Sequence, residues 1–263
     1  MPNNDRLNHR GLEQDDKILT TLYQPIFANA HRLGSYTGNC TRVFEIFASK
    51  GHTVFPHLRP LAVTNNFVGF EKDFRKTPIR APLLQKLTLS SFYFPPDPYG
   101  VFSESSWFRI KHLTLQDLRL DNFDDIGTLF SYCPNLEHLF LNKGSFSDPS
   151  SWTPRPHLAA NLKNLTLLEY TADFLLPFLS AVRAPRLTSL HIHTEDECSH
   201  RIEDGEKRNQ LGLRYFEVLR EFLERLDDKS SLKTFMFYGA RDVYYTPSFV
   251  NQPLDERRQS FSL

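Results

Sequence analysis

Cysteine is scarce in this chain. Cys40, Cys133 and Cys198 are the only three in 263 residues, odd in number and far apart. That argues against a disulfide framework and predicts a reducing, intracellular location, cytoplasmic or nuclear. Long apolar runs are missing as well. No stretch approaches the ~20 residues needed to span a bilayer. The opening "MPNNDRLNHRGLEQDDK" lacks the apolar core of a secretory signal, so the glycosylation sequons Asn39-Cys40-Thr41 and Asn164-Leu165-Thr166 read as chance matches. Neither sign of charge is in excess, with 31 basic against 31 acidic residues. Such a chain has no global field to draw in nucleic acid or an anionic membrane, and neither is expected as a partner. G-x-S-x-G, a Gly-rich phosphate loop and H-E-x-x-H are all absent. No enzyme, no catalytic residue and no cofactor is therefore expected.

What is present is a globular composition, 40% apolar and 24% charged, with 23 Phe against 2 Met and 11 Gly. Its mean hydropathy is −0.42. Many rigid rings imply a core with large gaps to fill.

The stretch "CPNLEHLFL" carries L-x-x-L-x-L at Leu136, Leu139 and Leu141, a spacing that is neither plain alternation nor a helical period. The same frame recurs at Leu58-Leu61-Val63, Leu84-Leu87-Leu89, Ile110-Leu113-Leu115, Leu162-Leu165-Leu167, Leu187-Leu190-Ile192 and Leu232-Phe235-Phe237. Intervals between first positions are 26, 26, 26, 26, 25 and 45. A fixed period inside the range of about 20 to 29 residues is that of leucine-rich repeats. The expected fold is thus α/β, a leucine-rich-repeat solenoid in which a parallel sheet carries helices and loops on its convex side. Residues 1–20 are expected as a flexible segment, 21–242 as the repeat domain with a polar insertion at 195–210, and 243–263 as a cap or tail. A further apolar position ten residues after the first leucine (Val68, Phe94, Leu120, Phe146, Ala172) predicts a return to the core after each strand. The asparagine that usually precedes it is mostly replaced, so the turns need other hydrogen-bond partners.

Between strands, 121–133 and 172–184 read as short helices, the latter restricted by Pro177. "FYFPPDPYGVFSES" and "NKGSFSDPSSWTPRPH" read as loops. Residues 213–228 form an amphipathic helix with a stripe of Phe216, Leu219, Phe222, Leu223 and Leu226, supported by Arg220-Glu224 and Glu221-Arg225 pairs.

Period-2 pleating sends the residues between the leucines outward, onto the concave face. These are Pro60, Ala62, Thr64; Lys86, Thr88, Ser90; His112, Thr114, Gln116; His138, Phe140, Asn142; Asn164, Thr166, Leu168; Ser189, His191, His193; and Thr234, Met236, Tyr238. Concave sheets are the usual binding surfaces of solenoids. His112, Thr114, Gln116, His138, Phe140, Asn142, Asn164, Thr166, His191 and His193 are the candidate protein-binding residues.

Several stretches together resemble the leucine-rich-repeat part of fungal F-box-type proteins. They are "LYQPIFANAHRLGSY" at 22–36, the "FP-x-L", "AP-x-L" and "CP-x-L" openings, and "FLERLDDKSSLKTFMF" at 222–237. The resemblance spans residues 20 to 240. It implies a non-enzymatic module that recognises another protein, the substrate-recognition part of a ubiquitin ligase of the SCF type. Residues 1–20 are too short and polar for the F-box itself, so the F-box adaptor is expected as a partner only if an F-box lies upstream.

Two histidine clusters invite a chemical reading. His112 and His138 fall in one column of neighbouring strands, ~4.8 Å apart, where a pH-sensitive or metal-binding pair competes with two ordinary surface residues, two ligands being fewer than the three or four a zinc site wants. His191, His193, Cys198 and His200 are the densest set of metal-type ligands. The alternative they raise is a metal-dependent enzyme or zinc-binding protein. Their spacing, H-x-H-x4-C-x-H, matches no standard zinc pattern, and the cluster runs into a charged loop.

Overall fold

A computed structural model describes residues 21, 24–25, 28–38, 54–63, 78–90, 102–120, 124–146, 156–194, 205–226 and 232–238. Ten strands and four α-helices lie among them: β1 (Tyr36–Gly38), β2 (Pro60–Val63), β3 (Lys86–Ser90), α1 (Glu104–Trp107), β4 (His112–Leu120), α2 (Asp124–Tyr132), β5 (His138–Phe146), β6 (His157–Leu158), β7 (Asn164–Tyr170), α3 (Ala172–Ala181), β8 (Val182–Arg183), β9 (Ser189–Thr194), α4 (Gly205–Glu224) and β10 (Thr234–Tyr238). Eight strands form one sheet, in the order β1-β2-β3-β4-β5-β7-β9-β10, which is chain order with β6 and β8 set aside as a small second pair. Every pairing is parallel. Parallel neighbours need a crossover of a dozen residues or more, and a 26-residue period provides one between successive strands.

Register follows the repeat. Leu61, Leu87, Leu113, Leu139, Leu165, Leu190 and Phe235 are consecutive partners across the sheet. So are Val63, Leu89, Leu115, Leu141, Leu167, Ile192 and Phe237. All are buried except Phe237, which packs half-buried against the same core. Fully burying each leucine is worth ~1.5–3 kcal/mol.

A tight turn leads into β2, β3, β4, β5, β7 and β9 and explains the proline openings. The N–H of the first leucine donates to the carbonyl three residues earlier: Leu58 to Phe55, Leu84 to Ala81, Ile110 to Trp107, Leu136 to Cys133, Leu162 to Ala159 and Leu187 to Ala184, at 3.0–3.3 Å. Those six earlier residues are all buried, which adds a further core column. Pro56, Pro82, Pro134 and Pro185 occupy the second turn position, where a φ fixed near −65° suits a type I or type II turn.

Successive repeats are then joined through shared carbonyls. Gln85 and Lys86 donate to the Arg59 carbonyl at 2.9 and 3.2 Å, Lys111 and His112 to Gln85 at 2.9 and 3.0 Å, Glu137 and His138 to Lys111 at 2.9 Å each. The series continues with Lys163 and Asn164 on Glu137, Thr188 and Ser189 on Lys163, and Lys233 and Thr234 on Thr188. Asn135 Nδ2 and Asn161 Nδ2 donate to the Phe108 and Pro134 carbonyls, both at 2.8 Å. These bonds satisfy the backbone groups of the entry turns.

The strands are longer than expected. Leu120 pairs with Phe146, so β4 and β5 run on in the sheet as far as these residues. Val68 and Phe94 lie outside the described residues, and half-buried Ala172 opens α3. Asp117, Lys143 and Glu169 have φ of 50°, 51° and 57°. They recur every 26 residues, just past the last outward position. A left-handed residue costs ~1–2 kcal/mol and changes the phase of the pleat. Tyr170 shows the effect: it lies an even number of residues from outward-facing Leu168, yet it is fully buried. Its ring stacks on Phe174 at 4.0 Å, and Phe174 on Phe178 at 5.6 Å.

Other elements refine the sequence reading. β1, too short to show any periodicity, extends the sheet by one strand at the edge of β2. α1 forms at the end of a segment read as a loop, where Ser106 accepts from the Ala81 N–H at 2.9 Å and Trp107 meets Phe102 edge-on at 5.6 Å. α3 continues through Pro177. α4 begins at Gly205, inside the polar insertion, and ends at Glu224 rather than 228. Its stripe packs as expected, with Leu219, Phe222 and Leu226 buried and Phe216 and Leu223 half-buried. Arg220 pairs with Glu224 at 3.8 Å. Arg225 instead turns its guanidinium onto the Leu179 and Ser180 carbonyls, where a cation complements the C-terminus of α3. Among the described residues no helix is long and apolar enough to cross a membrane.

Two substitutions test this packing. A Cβ on Gly127 in α2 would sit 2.1 Å from the His157 ring on β6. Gly127→Ala is therefore expected to destabilise by roughly 1–3 kcal/mol, reversing the ~0.8–1.0 kcal/mol by which Ala normally favours a helix interior over Gly. A gain in urea midpoint would contradict the contact. Among the described residues the buried Tyr170 hydroxyl has no hydrogen-bond partner, so Tyr170→Phe should leave stability unchanged or raise it by about 1 kcal/mol. A loss in the same denaturation assay would show that the hydroxyl is satisfied.

Candidate functional site

The face of the sheet away from the core consists of three columns of side chains, read off the strand register. The first runs Pro60, Lys86, His112, His138, Asn164, Ser189, Thr234. The second runs Ala62, Thr88, Thr114, Phe140, Thr166, His191, Met236. The third runs Ser90, Gln116, Asn142, Leu168, His193, Tyr238. All ten candidate residues therefore share one face, while Thr64 lies outside the described residues.

In the first column the His112 and His138 rings stack, centroids 4.2 Å apart and planes 11° from parallel. Asn164 Nδ2 lies 2.7 Å from His138 Nδ1. An amide N–H donates there, so Nδ1 is the acceptor and the imidazole is neutral with its proton on Nε2. Burial holds both histidines below their ordinary value, for His112 with help from His138, Lys86 and Lys111, and for His138 from Lys163; Glu137 acts in the opposite direction on each.

In the second column Phe140 is half-buried between Thr114 and Thr166. His191 Nε2 is 3.4 Å from Ser189 Oγ. Met236 is exposed. In the third column Ser90 donates to Gln116 Oε1 at 2.7 Å, which explains how an outward residue comes to be buried. Asn142 Oδ1 is buried and has no hydrogen-bond partner among the described residues. The His193 and Tyr238 rings are 6.1 Å apart.

His191 and His193 project from β9 onto this face, but Cys198 and His200 lie outside the described residues. Among the described residues no group of three or more His, Cys, Asp or Glu side chains is gathered as a metal would require. Cys133 belongs to the core, where burial pushes its thiol upward, away from the reactive thiolate.

One cluster escaped the sequence reading. Just before the strands, Glu137 bridges Lys111 at 3.0 Å and Lys163 at 2.6 Å, residues one repeat to either side. The hydrogen bond from Lys163, then that from Lys111, holds its carboxyl at about 2. The signal was available as opposite charges spaced by one period. Solvent reaches all three groups, so the net stabilisation is small. Because the folded value is depressed, the contribution is present above the ordinary 4.5 and is lost as pH falls through about 2.

The histidine pair yields a pH test. Both rings should titrate below 6.5 in the folded protein. The unfolded chain then binds protons first, so stability falls as pH drops from 6.5 through the lowered values. Asn164→Asp should raise the His138 midpoint, since a carboxylate favours imidazolium. Ring-proton NMR titration reads both, and a wild-type midpoint at or above 6.5 would contradict the stacked, amide-capped arrangement. No protein-family model, no curated protein and no solved structure matches the chain.

Proposed function

We propose that this chain is a leucine-rich-repeat solenoid acting as a non-enzymatic protein-recognition module, with the outward face of the sheet as its concave binding surface. The observation that carries the reading is the single register of the three columns. It places Phe140 near the middle of a broad polar face. A half-buried aromatic ringed by threonines and histidines has the character of an interface anchor. The unpaired Asn142 Oδ1 beside it is an acceptor that a partner's donor would satisfy.

The sequence resemblance extends the proposal to a class. The module would serve as the substrate-recognition part of an SCF-type ubiquitin ligase, recruited through an adaptor by an F-box. Recognition and recruitment are separable: the face binds the substrate, and copurification of the adaptor reads the ligase connection independently.

The test is recovery of partners on the tagged protein from lysate. Phe140→Ala is expected to weaken binding by about 2 kcal/mol, and His138→Ala to weaken it less. Leu158→Ala, an exposed residue on β6 away from the face, should change nothing. If both face variants recover every partner as wild type does, the face is not the binding surface.

A further inference from the structure

The net charge of zero hides a sorted distribution. The turns and first residues that lead into the strands carry Arg59, Lys86, Lys111, Lys163, Arg186 and Lys233, all exposed. They follow one another along one edge of the outward face, one or two strands apart. Glu137 is the one acid among the described residues of this edge, and it is already neutralised by Lys111 and Lys163. Arg59, Lys86 and Lys233 have no ion-pair partner among the described residues. The exit edge is different: there Lys143 and Glu169 pair with each other at 2.9 Å.

We propose that this strand-entry edge is a docking rim for an acidic, extended segment of a protein partner, lying across the strands beside the recognition face. The proposal rests on the reading of that face as a binding surface and names the chemistry of what lies along its border. Glu137 shows what a carboxylate does at this edge, its two oxygens each taking an ammonium from a different repeat. Strands are ~4.8 Å apart, so β2 to β10 spans roughly 29 Å, and an extended chain at ~3.4 Å per residue covers it in about nine residues. Acidic side chains at every second or third residue would then meet cations spaced by one or two strands. Lysines separated in this way act as point charges that attract over a distance set by the ionic strength.

The probe is a fluorescein-labelled (Glu-Ser)5 peptide, with a ten-nucleotide oligo-dA as the phosphate-backbone comparison. The peptide is expected to bind the intact chain with an affinity that falls as salt rises from about 50 to 200 mM. Zero-length carbodiimide coupling should join it to Lys86, Lys111, Lys163 and Lys233 in preference to Lys143. The double variant Lys86→Glu/Lys233→Glu removes no ion pair of the described fold, and it should lower affinity at least about tenfold. Arg80→Glu, off the sheet's outward face, should change affinity less than about twofold. Coupling spread evenly over all surface lysines would overturn the proposal, as would a double reversal with no effect. Tighter binding of oligo-dA, lost on the same reversal, would assign the rim to a phosphate backbone instead. Peptide docking that survives Phe140→Ala, alongside unchanged partner recovery by that variant, would refute the face and leave the rim standing.

Discussion

In each repeat one carbonyl, that of the residue just before the strand, accepts the next two N–H groups of the following repeat, and the whole sheet takes its alignment from this. Arg59, Gln85, Lys111, Glu137, Lys163 and Thr188 all make the same paired contact. Strand register could otherwise slip, since each strand is a short run of similar residues. A slip of one residue would send every leucine outward. The turn upstream prevents it. A buried residue, then usually proline, then a leucine whose N–H closes the turn, brings each strand into the sheet in the same phase. Core columns and outward columns both follow from that entry geometry, and so does the edge on which the cations gather.

The cost of this regularity appears at the other end of the strands. Asp117, Lys143 and Glu169 adopt a left-handed conformation that glycine or asparagine would accept more readily. In the third case the result is a change of pleat that turns Tyr170 inward onto Phe174. β9 has no such residue, and it pairs with β7 across a register shift between Leu168 and Tyr170. Up to Leu168 and His193 the offset between these strands is a constant 25 residues, and it falls to 24 at Tyr170 and Thr194.

Much of this was legible in the sequence because burial in a stacked array depends on a local spacing repeated many times. The columns through Leu139 and Leu141 were readable from six other copies, and so were the outward positions of His138 and Phe140. What escaped had no such repetition. β1 is three residues with no pattern to recognise. The start of α4 falls in "GEKRNQLG", where mixed charges carry no helical stripe. The repeat frame points Ser90 outward, but its hydrogen bond to the Gln116 side chain reaches one repeat away. Helical spacing pairs Arg225 with Glu221, whereas its guanidinium donates to the Leu179 and Ser180 carbonyls at the end of α3. The stacking of His112 on His138 could be anticipated as proximity. The neutral tautomer held by Asn164 required the third strand in place.

Charge illustrates the same division between composition and position. Equal numbers of acids and bases argue against a global field, but a field at close range depends on which groups share an edge. The entry turns repeat with the array, so a basic residue there recurs in space at strand spacing. Within about a Debye length, ~8–10 Å in physiological salt, a partner approaching the strand entries meets cations and one carboxylate already satisfied. A neutral chain can therefore present a locally basic border to a polar face, and the repeat that aligns the leucines also aligns that border.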